Sequence, residues 1–203
     1  MPVDRMAAFG RGLCVAALLA AGGTLQAQQP SQPAAQPSAA HLALCAACHG
    51  PQGRTTNPEI PSLAGQPRIF IENQLVLIRE GLREVPAMKG LLDGMKDPEL
   101  VALGHYFAAQ TAAVAPPVRD AAAYDRGQAL ATRMHCASCH LPTYVGQQQV
   151  PRLAGQPETF LRQSMQQLRD KPGPGRDTIM AATLRGLSDG ELADLAQYLA
   201  HFK

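Results

Sequence analysis

Apolar and polar positions along this chain follow a helical period. Ile71, Leu75, Ile78 and Leu82 recur at spacings of four, three and four, which predicts one apolar stripe of an amphipathic helix. Leu100, Leu103 and Phe107 repeat the pattern, as do Leu192, Leu195, Ala196 and Leu199 near the C-terminus. The sequence has no alternating strand-like runs bounded by turn residues. Asp97-Pro98-Glu99 and Ser188-Asp189 read as helix starts, with a capping side chain and acids near the positive end of the helix dipole. Another helix is expected over Arg119–Met134, leading into a cysteine pair. The fold class is all-α.

The pattern occurs twice. CAACHG at Cys45–Gly50 returns as CASCHL at Cys136–Leu141, and PSLAGQP at Pro61–Pro67 returns as PRLAGQP at Pro151–Pro157. KDPELVALGHYFA at Lys96–Ala108 answers SDGELADLAQYLA at Ser188–Ala200. Three matches in one order, offset by about 90 residues, mean a duplicated unit rather than a solenoid. Each unit is a small, loop-rich bundle of three main helices. Gly127 and Tyr198 mark a close crossing of the first and last helices in the second unit. Tyr106 is the equivalent aromatic in the first, whose leading helix (Ala39 to Leu44) reads as truncated.

Residues 1–27 carry Arg5 and Arg11, then the short apolar run Gly12 to Leu25, then Leu25-Gln26-Ala27 as a cleavage site, which reads as a signal peptide cleaved near Ala27. The run is too short for a ~30 Å bilayer. Cys14, inside that run, is not placed for lipidation. Residues 28–38 form a Pro/Gln-rich flexible leader, and Pro116-Pro117 marks a break in the middle. The expected organisation is a first domain over 39–113, a linker over 114–119 and a second domain over 120–203, in an oxidising compartment such as a periplasm. A formal net charge of +2 is too small to suggest a nucleic-acid binder driven by phosphate attraction. With aromatics at 4% and no Trp among 203 residues, the chain lacks the usual core-filling side chains and needs something else to pack against.

Cys45, Cys48 and His49, and again Cys136, Cys139 and His140, supply it. C-x-x-C-H is the attachment sequence for haem c: two thiols on one turn add to the porphyrin vinyl groups, and the following His presents a ring nitrogen to iron. A four-thiolate zinc site would have to span the 87 residues from Cys48 to Cys136, far beyond ribbon spacing. Disulfide-exchange sites need a βαβ context that is missing, and structural disulfides do not explain a His after both pairs. Two covalently bound haem c groups are expected.

The second axial ligand decides between electron transfer and catalysis. Met88, Met95, Met134, Met165 and Met180 are candidates, together with His41, His105, His135 and His201. Met88 lies 12 residues before Leu100 and Met180 lies 12 before Leu192, each after the middle helix in a Pro/Gly-containing segment able to loop back over a porphyrin. Met95 has no counterpart and Met165 falls on a helix stripe, so both read as core. Met134 stands two residues before Cys136, on the wrong side of the ring. The four histidines lack matching positions and read as surface. Pro61 and Pro151, 12 and 11 residues after their histidines, are placed to offer a carbonyl to the ring N–H.

Twin CxxCH motifs, P-x-L-A-G-Q-P loops, a Met a dozen residues before the last helix stripe and a signal peptide together resemble the dihaem cytochrome c4 family over about 39–203. The resemblance implies two tandem class I cytochrome c domains related by a pseudo-twofold axis. It implies His49 with Met88 and His140 with Met180 as iron ligands, and electron transfer to a terminal oxidase or other periplasmic acceptor. The donor would be a membrane cytochrome complex or a dehydrogenase. Two other readings stay open: the haem subunit of a periplasmic flavo-, quino- or molybdo-dehydrogenase, and, with an open iron position, a peroxidase or gas sensor.

Overall fold

The computed structural model describes residues 36–113, 115–117 and 120–203; the expected signal peptide and most of the leader lie outside these. Eight α-helices and two 3₁₀ turns (Pro51–Gly53 and Pro86–Met88) account for the helical structure of the described residues: α1 (Ala39–His49), α2 (Arg68–Arg79), α3 (Asp97–Ala108), α4 (Ala121–Arg133), α5 (Ala137–His140), α6 (Glu158–Asp170), α7 (Thr178–Leu184) and α8 (Asp189–Ala200). There is no β-sheet among them, only an isolated bridge between Gln147 and Val150. None of the described helices is long and apolar enough to cross a membrane.

Side chains that satisfy the first free N–H groups set the helix starts. Ser38 Oγ accepts from the His41 N–H at 3.1 Å, Asp120 Oδ1 from Ala123 at 3.0 Å and Asp177 Oδ1 from Met180 at 2.7 Å. Ser188 and Glu191 form a reciprocal capping box, Ser188 Oγ accepting from the Glu191 N–H and Glu191 Oε2 from the Ser188 N–H.

Four boundaries differ from expectation. Because Asp120 is spent as the cap, α4 begins at Ala121 and not Arg119, and it ends at Arg133. Asp97 is not a cap but the first helical residue of α3; Glu99 Oε2 reaches back to the Lys96 N–H at 2.8 Å, leaving Asp97 to pair with Arg79. Helix α2 stops at Arg79, so Leu82 falls beyond it and is 51% exposed. Helix α1 runs past Leu44 to His49 through the cysteine pair, while the second copy breaks at His135, with φ 54°, before restarting as α5. The lead into the first pair is shortened at its N-terminal end, where residues 36–38 are not helical.

Each half has its own core. In the first, Ile71, Leu75, Leu92, Met95, Leu100, Leu103 and Phe107 are buried together. In the second, Leu161, Met165, Leu184, Leu192, Leu195 and Leu199 join an aromatic group in which Tyr124, Tyr144 and Phe202 surround Tyr198 edge-on at 5.1–5.6 Å. Met95 and Met165 are core residues, as expected. Gly127 is where α4 crosses α8: a Cβ there would lie 2.1 Å from the Asp194 carbonyl oxygen and 2.8 Å from Tyr198 Cβ. The crossing admits only glycine.

The repeated P-x-L-A-G-Q-P loops are held alike in both halves. Leu63 and Ala64 N–H groups donate to Gly53 O, and Leu153 and Ala154 donate to Tyr144 O. Gly65 N–H donates to Phe107 O at 2.9 Å, and Gly155 to Leu199 O at 3.1 Å. Positive φ of 68° and 73° explains the glycine in each loop. The two loops then meet. Gln156 Oε1 accepts from the Ser62 N–H at 2.9 Å and its Nε2 donates to Ser62 O at 2.8 Å. Gln66 Oε1 accepts from the Arg152 N–H at 2.9 Å and its Nε2 donates to Arg152 O at 3.0 Å. Matching backbone bonds flank them, Phe70 N–H to Gln148 O and Phe160 N–H to Pro58 O, both 2.9 Å. This reciprocity is a local twofold relation between the halves.

His201 departs from the surface role expected of it. It is 3% exposed and its Nδ1–H donates to Pro116 O at 2.9 Å, which ties the end of the chain to the connection between halves.

Candidate functional site

The two C-x-x-C-H segments lie on helix, so the chain itself places their side chains. In α1, Cys45 and Cys48 are separated by one turn and His49 ends the helix. Cys136 caps α5, Cys139 lies within it and His140 ends it. All four thiols are unpaired, with Cys45 and Cys136 half-buried and Cys48 and Cys139 exposed. Burial pushes the Cys45 and Cys136 thiols up from their ordinary value.

His49 Nδ1 lies 2.9 Å from Pro61 O, and His140 Nδ1 lies 2.9 Å from Pro151 O. A carbonyl only accepts, so Nδ1 carries the proton in both rings and Nε2 keeps its lone pair. Burial holds both imidazoles below their usual pKa, only partly offset by the carbonyl bond. These are neutral imidazoles with one nitrogen oriented and the other available. That is the form in which histidine binds a metal.

Met88 closes a single 3₁₀ turn, Pro86–Met88, and packs half-buried against the cluster that also receives Cys45. Met180 packs half-buried against the cluster that receives Cys136. It sits in α7 and not in irregular chain, because Asp177 caps a helix there. Met134 packs on this second cluster too, beside the cysteine pair. Cys45 and Met88 thus meet on one apolar cluster and Cys136, Met134 and Met180 on the other, while each motif histidine is tied to its own proline carbonyl. The donor set, with two thiols one turn apart, an oriented neutral imidazole and a thioether at the same core, fits a covalent haem in each half.

Gln66 and Gln156 are what the sequence reading missed. Their amides seat on Arg152 and Ser62, the residues directly after the prolines that orient His140 and His49. The repeated Gly-Gln-Pro was a visible signal, but its partners are 86 and 94 residues away in sequence.

A family model for cytochrome c matches residues 124–203. Cytochrome c4 of Pseudomonas aeruginosa is 34% identical over 92% of this chain and 96% of its own length. A thiosulfate dehydrogenase electron acceptor of Thiomonas intermedia is 30% identical over 94% of this chain and 90% of its own. Among solved structures, reduced recombinant cytochrome c4 from Pseudomonas stutzeri superposes with a TM-score of 0.75 at 28% identity, covering 83% of this chain and all of the other.

Proposed function

This chain belongs to the cytochrome c4 family, and on that premise we propose that it holds its two haem c groups through Cys45 and Cys48 with His49 and Met88, and through Cys136 and Cys139 with His140 and Met180. As a family member it is a periplasmic dihaem electron carrier and not a catalyst, and its partners are other redox proteins. The haem supplies the one-electron couple when bound. The chain does the rest. Cysteine thioethers fix the group in place, and Pro61 and Pro151 orient the imidazoles. Met88 and Met180 would supply thioether ligands, which favour reduced iron and so raise the potential. The apolar clusters behind them exclude water.

The observation that carries this reading is the repeated His–Pro carbonyl bond of 2.9 Å beside each cysteine pair. The domains run over 39–113 and 120–203 with a linker over 114–119, and a signal peptide cleaved near Ala27 exports the chain to the periplasm. The electron reaches the carrier from a membrane cytochrome complex or dehydrogenase and leaves to a terminal oxidase or other acceptor. The likeness to a thiosulfate dehydrogenase electron acceptor favours, as a second reading, service to one periplasmic dehydrogenase.

Spectra of the oxidised and dithionite-reduced protein, with and without carbon monoxide, test the ligand assignment. Two low-spin covalent haems indifferent to carbon monoxide are expected. Stoichiometric carbon monoxide binding at either haem would remove Met88 or Met180 as a ligand and bring the peroxidase or sensor reading forward.

A further inference from the structure

We propose that Gln66 and Gln156 are positioning residues that act across the molecule, each tuning the axial histidine of the opposite half. The inference rests on the haem reading above. The Pro151 carbonyl and the Arg152 N–H belong to one peptide group. His140 donates to its oxygen at 2.9 Å, and its N–H donates to Gln66 Oε1 at 2.9 Å. The Pro61–Ser62 peptide is held in the same way, by His49 at 2.9 Å and by Gln156 Oε1 at 2.9 Å. An acceptor at the N–H end of a peptide strengthens the carbonyl at its other end as an acceptor, because hydrogen bonds in a chain polarise one another. A stronger carbonyl draws more of the Nδ1 proton and makes the imidazole a more basic ligand. Basic ligands favour oxidised iron, so each glutamine lowers the potential of the haem in the other half.

Two features make the effect durable. The second bond from each amide, Nε2 to Arg152 O at 3.0 Å or to Ser62 O at 2.8 Å, prevents the side chain from rotating. Gln66 and Gln156 are 5% and 3% exposed, so water does not take over the acceptor role. A residue that merely stapled the halves together could seat on any facing backbone. In both copies the amide oxygen instead seats on the very peptide whose carbonyl the histidine uses.

Gln66→Leu and Gln156→Leu in the holoprotein test this, since leucine keeps most of the volume and accepts nothing. In Gln66→Leu the Nδ1–H resonance of His140 in the reduced protein moves upfield while that of His49 holds. The potential of the haem at Cys136 and Cys139 rises, by up to tenfold in its oxidation equilibrium, about 59 mV for one electron. Gln156→Leu gives the mirror result at His49. Shifts confined to the variant's own half, equal shifts in both halves, or no shift would overturn the proposal. If a variant does not accumulate as folded protein, deuterium exchange of the unaltered holoprotein decides: protected Ser62 and Arg152 amides are required, and fast exchange at either overturns it. Failure of the haem reading itself registers separately, as missing covalent haem in the unaltered protein.

Discussion

The residue after each C-x-x-C-H histidine shows how two copies of one motif can differ in strain. Gly50 has φ 76° and ψ 167°, and Leu141 has φ 68° and ψ 158°. Only glycine adopts this region freely, at a cost of about 1–3 kcal/mol for other residues. A Cβ at Gly50 would lie 2.1 Å from the Arg54 carbonyl oxygen, so Gly50→Ala should destabilise the holoprotein by about 1–3 kcal/mol in denaturant unfolding. Leu141→Gly should cost nothing or stabilise by about 1 kcal/mol, relief of strain outweighing lost backbone entropy. An unchanged midpoint for Gly50→Ala would contradict the strain. CAACHG and CASCHL announced the chemistry in the sequence, and spacings of 12 and 11 residues found the proline carbonyls. Nothing in a hydrophobic period discloses the dihedral of Leu141, because that angle is imposed by the reversal of the chain after the helix.

Arginines join the elements of each half, again in matched copies. Arg79 at the end of α2 donates from Nη1 to Met95 O at 2.9 Å and pairs through Nη2 with Asp97 at 2.8 Å. Arg169 in the last turn of α6 donates to Leu187 O at 2.7 Å and pairs with Asp189 at 2.7 Å. Each fastens the end of the middle helix to the start of the last. Hydrogen bonds from Arg169 hold the Asp170 and Asp189 carboxyls below their ordinary range. Carboxyls depressed in the folded state add stability above their unfolded pKa, roughly pH 4, and lose it as pH falls through the folded value. Arg169→Leu should therefore lower Tm at neutral pH and flatten the acid limb of a Tm-against-pH curve; an acid limb of undiminished slope would count against the pairing. The amphipathic stripes of α2, α3 and α8 were legible because burial follows period. Arg79 and Arg169 were not: a charge near a helix end reads as solvated until the facing helix start is known. The expected cap at Asp97 failed for the same reason, since its carboxylate serves Arg79.

At the scale of the whole molecule, the shortage of aromatics is uneven. Four of the nine Phe and Tyr side chains, Tyr198 and the three around it, gather in the second half, while Tyr106 and Phe107 form the one close ring pair among the described residues of the first. With such small cores, replacing Cys45, Cys48, Cys136 and Cys139 by alanine should leave a chain without cooperative melting by circular dichroism. A sharp transition in that variant would refute dependence on the cofactor. In the holoprotein the buried glutamine contacts should make both halves unfold together, with coincident transitions from probes in each half. Two separated transitions would show the halves to be independent. The duplication was legible from three ordered motif matches, but the contact it creates joins residues 86 and 94 positions apart, which no local pattern pairs. A patch that binds its own copy about a twofold axis is what a homodimer possesses. Here the partners share one chain, so their encounter is governed by tether length and not by protein concentration. The contact is that of a dimer whose two copies share one chain, so dilution cannot separate them. Its two loops consequently share one fate: a change in either glutamine removes bonds from the backbone of the other copy and none from its own.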